Sequence, residues 1–153
     1  MTIAPLSFSI EVAAPPRRAF ELFAGDIGRW WPRGSTIGHS PHADIVIEPR
    51  EGGRWFEIDD RGAETPWGKV LRWEPPARLV LGWQLNSRFA FDPELVTEVE
   101  LMFTASDVGT RVTLVHRDLE RFGADADKLA GQLGGGWPKF LNYYKDSISS
   151  TAT

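Results

Sequence analysis

Three histidines and no cysteine bound the chemistry open to this 153-residue chain. Without a thiol there is no disulfide, no thiolate nucleophile and no Cys-ligated metal. His116 is the single catalytic candidate. It alternates with Val112 and Leu114 in a strand-like run, so its imidazole shares their apolar face. There it could orient a polar group or shuttle a proton, although the commoner role is a structural histidine bonded to a neighbour. Glu57, Glu98 and Glu100 stand in other strand-like runs. Acid–base catalysis would need one of them within reach of His116 and of a substrate. His39 and His42, with Asp44, resemble a fragment of a metal site. A loop imposes no fixed ligand spacing and only carboxylates could complete the set, so solvated histidines are expected, with no metal and no cofactor. No Ser-His-Asp order, Walker loop or dinucleotide fingerprint is present.

The second signal is apolar. Seven tryptophans occur, several within Gly/Pro settings such as Trp30-Trp31-Pro32, Gly52-Gly53-Arg54-Trp55, Trp73-Glu74-Pro75-Pro76 and Gly136-Trp137-Pro138. An indole must be packed over its rings and must place its N–H against an acceptor or water. Any one ring is best read as core. Together, Trp31, Trp55, Trp73, Trp83 and Trp137 read as the wall of a pocket, joined by Val99, Leu101, His116 and Phe140. Whether a ligand or the rings themselves fill that space is left open by composition. Phe89 and Phe91, in the polar segment from Asn86 to Glu94, read as a pocket lid in preference to a protein contact.

These residues must be positioned by a small set of elements. Leu6–Val12 alternates as a half-buried strand, and Pro15-Pro16 ends it at a helix start. Ala19, Phe20, Leu22 and Phe23 give Arg17–Ala24 one apolar face, and Asp26 can cap a second short helix over Ile27–Trp31. Arg33–Ala43 reads as a loop. Six strands follow between turn signals: Asp44–Glu48, Arg54–Asp59, Trp67–Glu74, Arg78–Gln84, Val96–Thr104 and Thr110–Arg117. If the last two form a hairpin, Val99, Leu101 and Phe103 match Val112, Leu114 and His116, placing His116 near Thr97 or Val99. Leu129, Leu133, Phe140, Tyr144 and Ile148 form a helical stripe, capped by Asp125 or Asp127. Gly134-Gly135-Gly136 and Pro138 interrupt it. One long bent helix is the preferred reading over a clean break, and the glycines could thin it to leave room beneath.

The length suits one domain over residues 1–153. A formal net charge of -4 offers no basic field to nucleic acid or anionic membranes, so neither is expected as a partner. No signal peptide or membrane-spanning stretch is read, which points to a cytoplasmic protein.

Strand, two short helices, six strands and a long terminal helix is the helix-grip order, and the local motifs agree with it. Ala14-Pro15 before Phe20, Trp30-Trp31, Ile47-Glu48-Pro49 and Gly52-Gly53-Arg54-Trp55 belong to the pattern, as do Gly68-Lys69-Val70-Leu71, Glu74-Pro75-Pro76, Arg78-Leu79-Val80-Leu81 and Trp83. Thr97-Glu98-Val99, Phe103-Thr104, Gly109-Thr110-Arg111-Val112-Thr113-Leu114, His116-Arg117 and Gly136-Trp137 complete it. On these residues, from Phe8 to about Ile148, the chain resembles the START-like (SRPBCC) superfamily, within it the family of the activator of the Hsp90 ATPase (C-terminal-domain-like). The resemblance implies an α+β fold in which a curved seven-stranded antiparallel sheet grips the C-terminal helix over an internal cavity. Relatives of this fold hold hydrophobic small molecules, and some are cyclases or dehydratases, so fold alone does not choose. The expected function is binding of a small hydrophobic or aromatic ligand. The alternatives are a cyclase, dehydratase or hydrolase using His116, and a stress-related interaction module. A homodimer is possible, because family relatives can pair.

Overall fold

The computed structural model describes residues 3–32 and 42–151. β1 (Leu6–Val12) leads into α1 (Pro16–Ala24) and α2 (Ile27–Trp30). The strands β2 (His42–Ile47), β3 (Arg54–Asp59), β4 (Glu64–Glu74), β5 (Arg78–Trp83), β6 (Thr97–Ser106) and β7 (Gly109–Arg117) come next. A 3-10 helix over Leu119–Asp125 then precedes α3 (Ala126–Thr151). All seven strands form one antiparallel sheet in the order β1-β7-β6-β5-β4-β3-β2, so every strand pairs with its chain neighbour except β1, which closes on β7. This is the expected helix-grip architecture.

The β6–β7 hairpin has the anticipated register, with Val99, Leu101 and Phe103 opposite His116, Leu114 and Val112. Its turn needs Gly109, whose φ of +145 lies where side chains are strained and whose absent Cβ would stand 2.5 Å from the Val12 carbonyl. Strand boundaries differ from the sequence reading chiefly at β4, which begins at Glu64 instead of Trp67. Pro66 disguises that start. It is tolerated because the β5 side reaches β4 only from the Trp67 carbonyl onward, which accepts from the Gln84 amide, leaving Glu64–Pro66 paired with β3 alone. β2 likewise starts earlier, at His42, and β6 runs on to Ser106.

α3 is a single helix that continues through Pro138. Because proline carries no amide hydrogen, the Gly134 carbonyl loses its intrahelical donor there. The three glycines do not make space for anything. A Cβ at Gly135 would meet nothing within 4 Å, and at Gly134 or Gly136 it would make ordinary contacts of 3.7 Å with Leu6 or Phe140. Asp26 precedes α2 without a side-chain capping bond, and its carboxylate instead lies 3.9 Å from Arg29.

The inner sheet face and the apolar side of α3 enclose the core. Leu79, Leu81, Val99, Leu101, Val112 and Leu114 are buried on the sheet, and Leu133, Trp137, Leu141, Tyr144 and Ile148 on the helix. The Tyr144 hydroxyl donates to the Ala19 carbonyl at 2.6 Å, tying α3 to α1. On the outer face Arg78 and Arg117 both hydrogen-bond Glu100, and Arg117 also reaches Glu98. Burial opposes ionisation of Glu100, but the two guanidinium groups outweigh it and hold its carboxyl below the usual range. No helix among the described residues is long and apolar enough to cross a membrane.

Candidate functional site

His116, one residue before the end of β7, lies on the buried inner face, fully removed from solvent. Its Nδ1 lies 3.1 Å from Trp137 Nε1 on α3, and its Nε2 lies 2.8 Å from Thr97 Oγ1 on β6. An indole nitrogen can only donate, so Nδ1 is the acceptor and the ring proton resides on Nε2. His116 Nε2–H therefore donates to Thr97, whose hydroxyl donates onward to the Trp83 carbonyl at 3.3 Å. One directed chain thus runs from helix to sheet, with both imidazole nitrogens occupied. Burial pushes the imidazole pKa down from 6.5 to about 3, which keeps the ring neutral.

Around this chain the aromatic rings form a continuous wall. Trp83 contacts His116 and Trp137 with ring centroids 5.5 Å away in each case. Trp55 lies 5.8 Å from Trp83 and 5.5 Å from Trp67. Trp67 reaches Trp31 at 5.1 Å, and Trp31 stacks on Phe140 at 4.4 Å with the planes 26° apart. Phe122, from the 3-10 helix, approaches His116 at 6.2 Å. Gly68 enables the middle of this wall. It is paired with Trp55 on one side and Trp83 on the other, whose ring centroids lie 5.8 Å apart, and its missing side chain lets the β5 backbone approach closely. A Cβ on Gly68 would stand 1.7 Å from the Gly82 carbonyl oxygen, so no other residue fits.

Most of the sequence-predicted wall is brought together: Trp31, Trp55, Trp83, His116, Trp137 and Phe140 in mutual contact, with Val99 and Leu101 buried on the same face. Trp73 is not. It packs against Phe20 at 5.0 Å and borders a separate surface groove of about 350 Å³ with Arg17, Pro75 and Pro76. Trp67 and Phe122 are members that sequence reasoning passed over. The strand Trp67–Glu74 included Trp67, but the register shift opposite it, between Trp55 and Phe56, hid which face and neighbours its ring takes.

The three carboxylates separate cleanly. Glu98 and Glu100 point to the outer face, where the arginines hold them. Glu57 alone faces inward, fully buried, and accepts from Trp67 Nε1 at 2.7 Å. None of the three is among the hydrogen-bond partners of His116. Among the described residues no carboxylate is hydrogen-bonded to His116, and both of its ring nitrogens are occupied, by Thr97 and Trp137. The third potential chemistry, at His39 and His42, lies outside the described side chains, and the described residues hold no cluster able to ligate a metal. In the Asn86–Glu94 segment Phe91 packs against the core, while Phe89 is 39% exposed on a left-handed backbone.

One fully buried polar side-chain atom is left over: among the described residues Trp55 Nε1 has no acceptor. Trp30, Trp67 and Trp137 each place their indole N–H on a protein acceptor.

Comparison with known proteins places this geometry. The family model described as Activator of Hsp90 ATPase homolog 1-like protein matches residues 13–146. Among solved structures, the anthrahydroquino-gamma-pyrone synthase Txn09 is 32% identical, with 96% of this chain and 98% of that chain covered and a TM-score of 0.68. The self-sacrificing resistance protein CalC from Micromonospora echinospora is also 32% identical, with 95% and 94% covered and a TM-score of 0.71. The Aha1 dimer from Colwellia psychrerythraea shares the fold at 16% identity, with 95% and 96% covered and a TM-score of 0.65. No curated protein matches the chain.

Proposed function

The chain belongs to the Activator of Hsp90 ATPase homolog 1-like family, and from that premise we propose that it binds a small hydrophobic or aromatic molecule between the sheet and α3, without transforming it. The observation that carries this reading is the ring wall itself. Trp31, Trp55, Trp67, Trp83, Trp137 and Phe140 converge from α3, three strands and the end of α2 onto one interior. A core built only to pack favours aliphatic side chains, since each indole brings an N–H that must be satisfied. Ligand sites are instead lined by aromatic rings around a few fixed polar groups. The Trp137–His116–Thr97–Trp83 chain is such a fixed group. It holds the wall in place and contributes no proton.

The synthase relative, named for a fused aromatic pyrone, supports an aromatic ligand and also a second reading, a cyclase-type reaction at the same place. That reaction would draw its acid or base from Glu57, the one fully buried inward carboxylate among the described residues, and not from His116. Binding in the cytoplasm, as a homodimer like the Aha1 relative, completes the proposal; sedimentation analysis reads the dimer directly.

Quenching of tryptophan fluorescence and thermal melting across a panel of neutral aromatic compounds test the binding. A ligand at a hundred times its Kd stabilises by about 2.7 kcal/mol, which raises the Tm by roughly 5–10 °C for a chain of this size. A flat response across the panel refutes the reading.

A further inference from the structure

We propose that Trp55 Nε1 is the donor by which this interior recognises its ligand, and that the group it recognises is a neutral carbonyl oxygen on a flat aromatic ring system. The proposal rests on the binding reading above and names the ligand chemistry that reading leaves open.

The starting observation is the unsatisfied donor. Trp55 is 1% exposed, and its indole N–H has no acceptor among the described residues. A buried donor without a partner costs roughly 1–3 kcal/mol, so native structures almost always satisfy it. Trp55 Nε1 is the one fully buried side-chain nitrogen or oxygen among the described residues that lacks a partner. The indoles of Trp67 and Trp137 donate to Glu57 and His116, and His116 and Thr97 pass the chain to the Trp83 carbonyl. An incoming acceptor would therefore find a fully buried donor waiting at Trp55, with no internal bond to break.

The surroundings decide what carries that acceptor. The Trp55 ring is flanked edge-on by Trp67 and Trp83, with interplanar angles of 62° and 67°. Such an apolar, aromatic setting favours a flat ring system over a flexible polar molecule. Charge selects further. No described lysine or arginine is buried, Glu57 occupies the same inner face two residues along β3, and His116 is held neutral. A carboxylate or phosphate would enter without a counter-charge, and desolvation would oppose it. A ketone or quinone oxygen accepts the same hydrogen bond without that cost.

Three planar tricyclic probes of matched shape separate these arguments: fluorene, 9-fluorenone and fluorene-9-carboxylate, titrated by fluorescence and calorimetry. One added hydrogen bond to a buried donor predicts about tenfold tighter binding of fluorenone than of fluorene, with the carboxylate weakest. In Trp55→Phe the preference for fluorenone collapses to about onefold. If that variant does not fold, the wild-type indole region of the 1H–15N spectrum decides. The Trp55 cross-peak moves downfield with fluorenone and stays in place with fluorene. Equal binding of fluorene and fluorenone overturns the recognition but leaves the interior a binding site. A Trp55 peak unmoved by fluorenone overturns it as well, because the N–H then rests on water or elsewhere. Tightest binding of the carboxylate overturns the preference for a neutral acceptor. Binding of none of the three, together with a flat panel, overturns both readings.

Discussion

Acidification should unfold this protein through His116 before its surface carboxylates respond. The folded imidazole is held near a pKa of about 3 by burial, against 6.5 for the ordinary group. Between those values the unfolded chain binds a proton that the folded chain does not, so stability is full above 6.5 and falls as the pH drops towards 3. Each unit of pH in that window is worth about 1.4 kcal/mol, and the loss attributable to His116 from about pH 7 to about pH 5 comes to roughly 2 kcal/mol. In urea denaturation this is a midpoint shift of about 1 M for a slope of roughly 2 kcal/mol per molar. His116→Gln keeps a donor and an acceptor for Thr97 and Trp137 but does not titrate. The variant should be less stable at neutral pH yet show a curve flatter by that amount between the two pH values. Subtracting variant from wild type isolates the contribution of His116, the one ionisable group that the substitution removes. An unchanged pH slope in His116→Gln refutes the reasoning. So does a His116 ring resonance that titrates near 6.5 in the folded protein.

Other perturbations test the frame around the site. Glu100→Gln should cost about 1–3 kcal/mol at neutral pH by stripping charge-assisted bonds from Arg78 and Arg117. Because the folded carboxyl lies below 4.5, the gap between wild type and variant should close as the pH falls through that lowered value, which denaturation at acid pH would read. Gly68→Ala drives a Cβ into the Gly82 carbonyl at 1.7 Å and should cost more than about 3 kcal/mol, or prevent folding, as judged by circular dichroism and yield. Gly135→Ala meets open space in mid-helix and should raise stability by up to about 1 kcal/mol in the same denaturation assay.

Much of this arrangement could be read before any coordinates. Strand parity put His116 with Val112 and Leu114, and the hairpin register then fixed its neighbours to within a residue. Parity gives a face but not a height along the strand, and this is why Trp73 was grouped with the wall. It pairs with Leu79 while the wall crosses at Gly68 and Trp83, roughly 15 Å further along β4. Two irregularities defeated simple alternation there. The register shifts between Val70 and Arg72, and the β3–β4 pairing shifts at Trp55 and Phe56 opposite Trp67. A bulge inserts one residue and leaves no compositional mark, so the place of Trp67 in the wall and its bond to Glu57 were beyond reach. The roles of the glycines also came out differently. Gly134–Gly136 looked like a device to open space and are not, whereas Gly68, one residue in a strand, is the position where a side chain is excluded. The tautomer of His116 needed three dimensions, because Trp137 reaches it from a helix 21 positions away.

The claim that the ring-lined interior holds a small molecule is tested most directly by mass. Native mass spectrometry should be run on the protein as purified from its own cells and again after incubation with neutral tricyclic aromatics, each against the denatured mass. The account predicts one bound molecule per chain, released on unfolding. Identical native and denatured masses under every condition would contradict it, and the tryptophans would then be the filling of the fold and not the wall of a site.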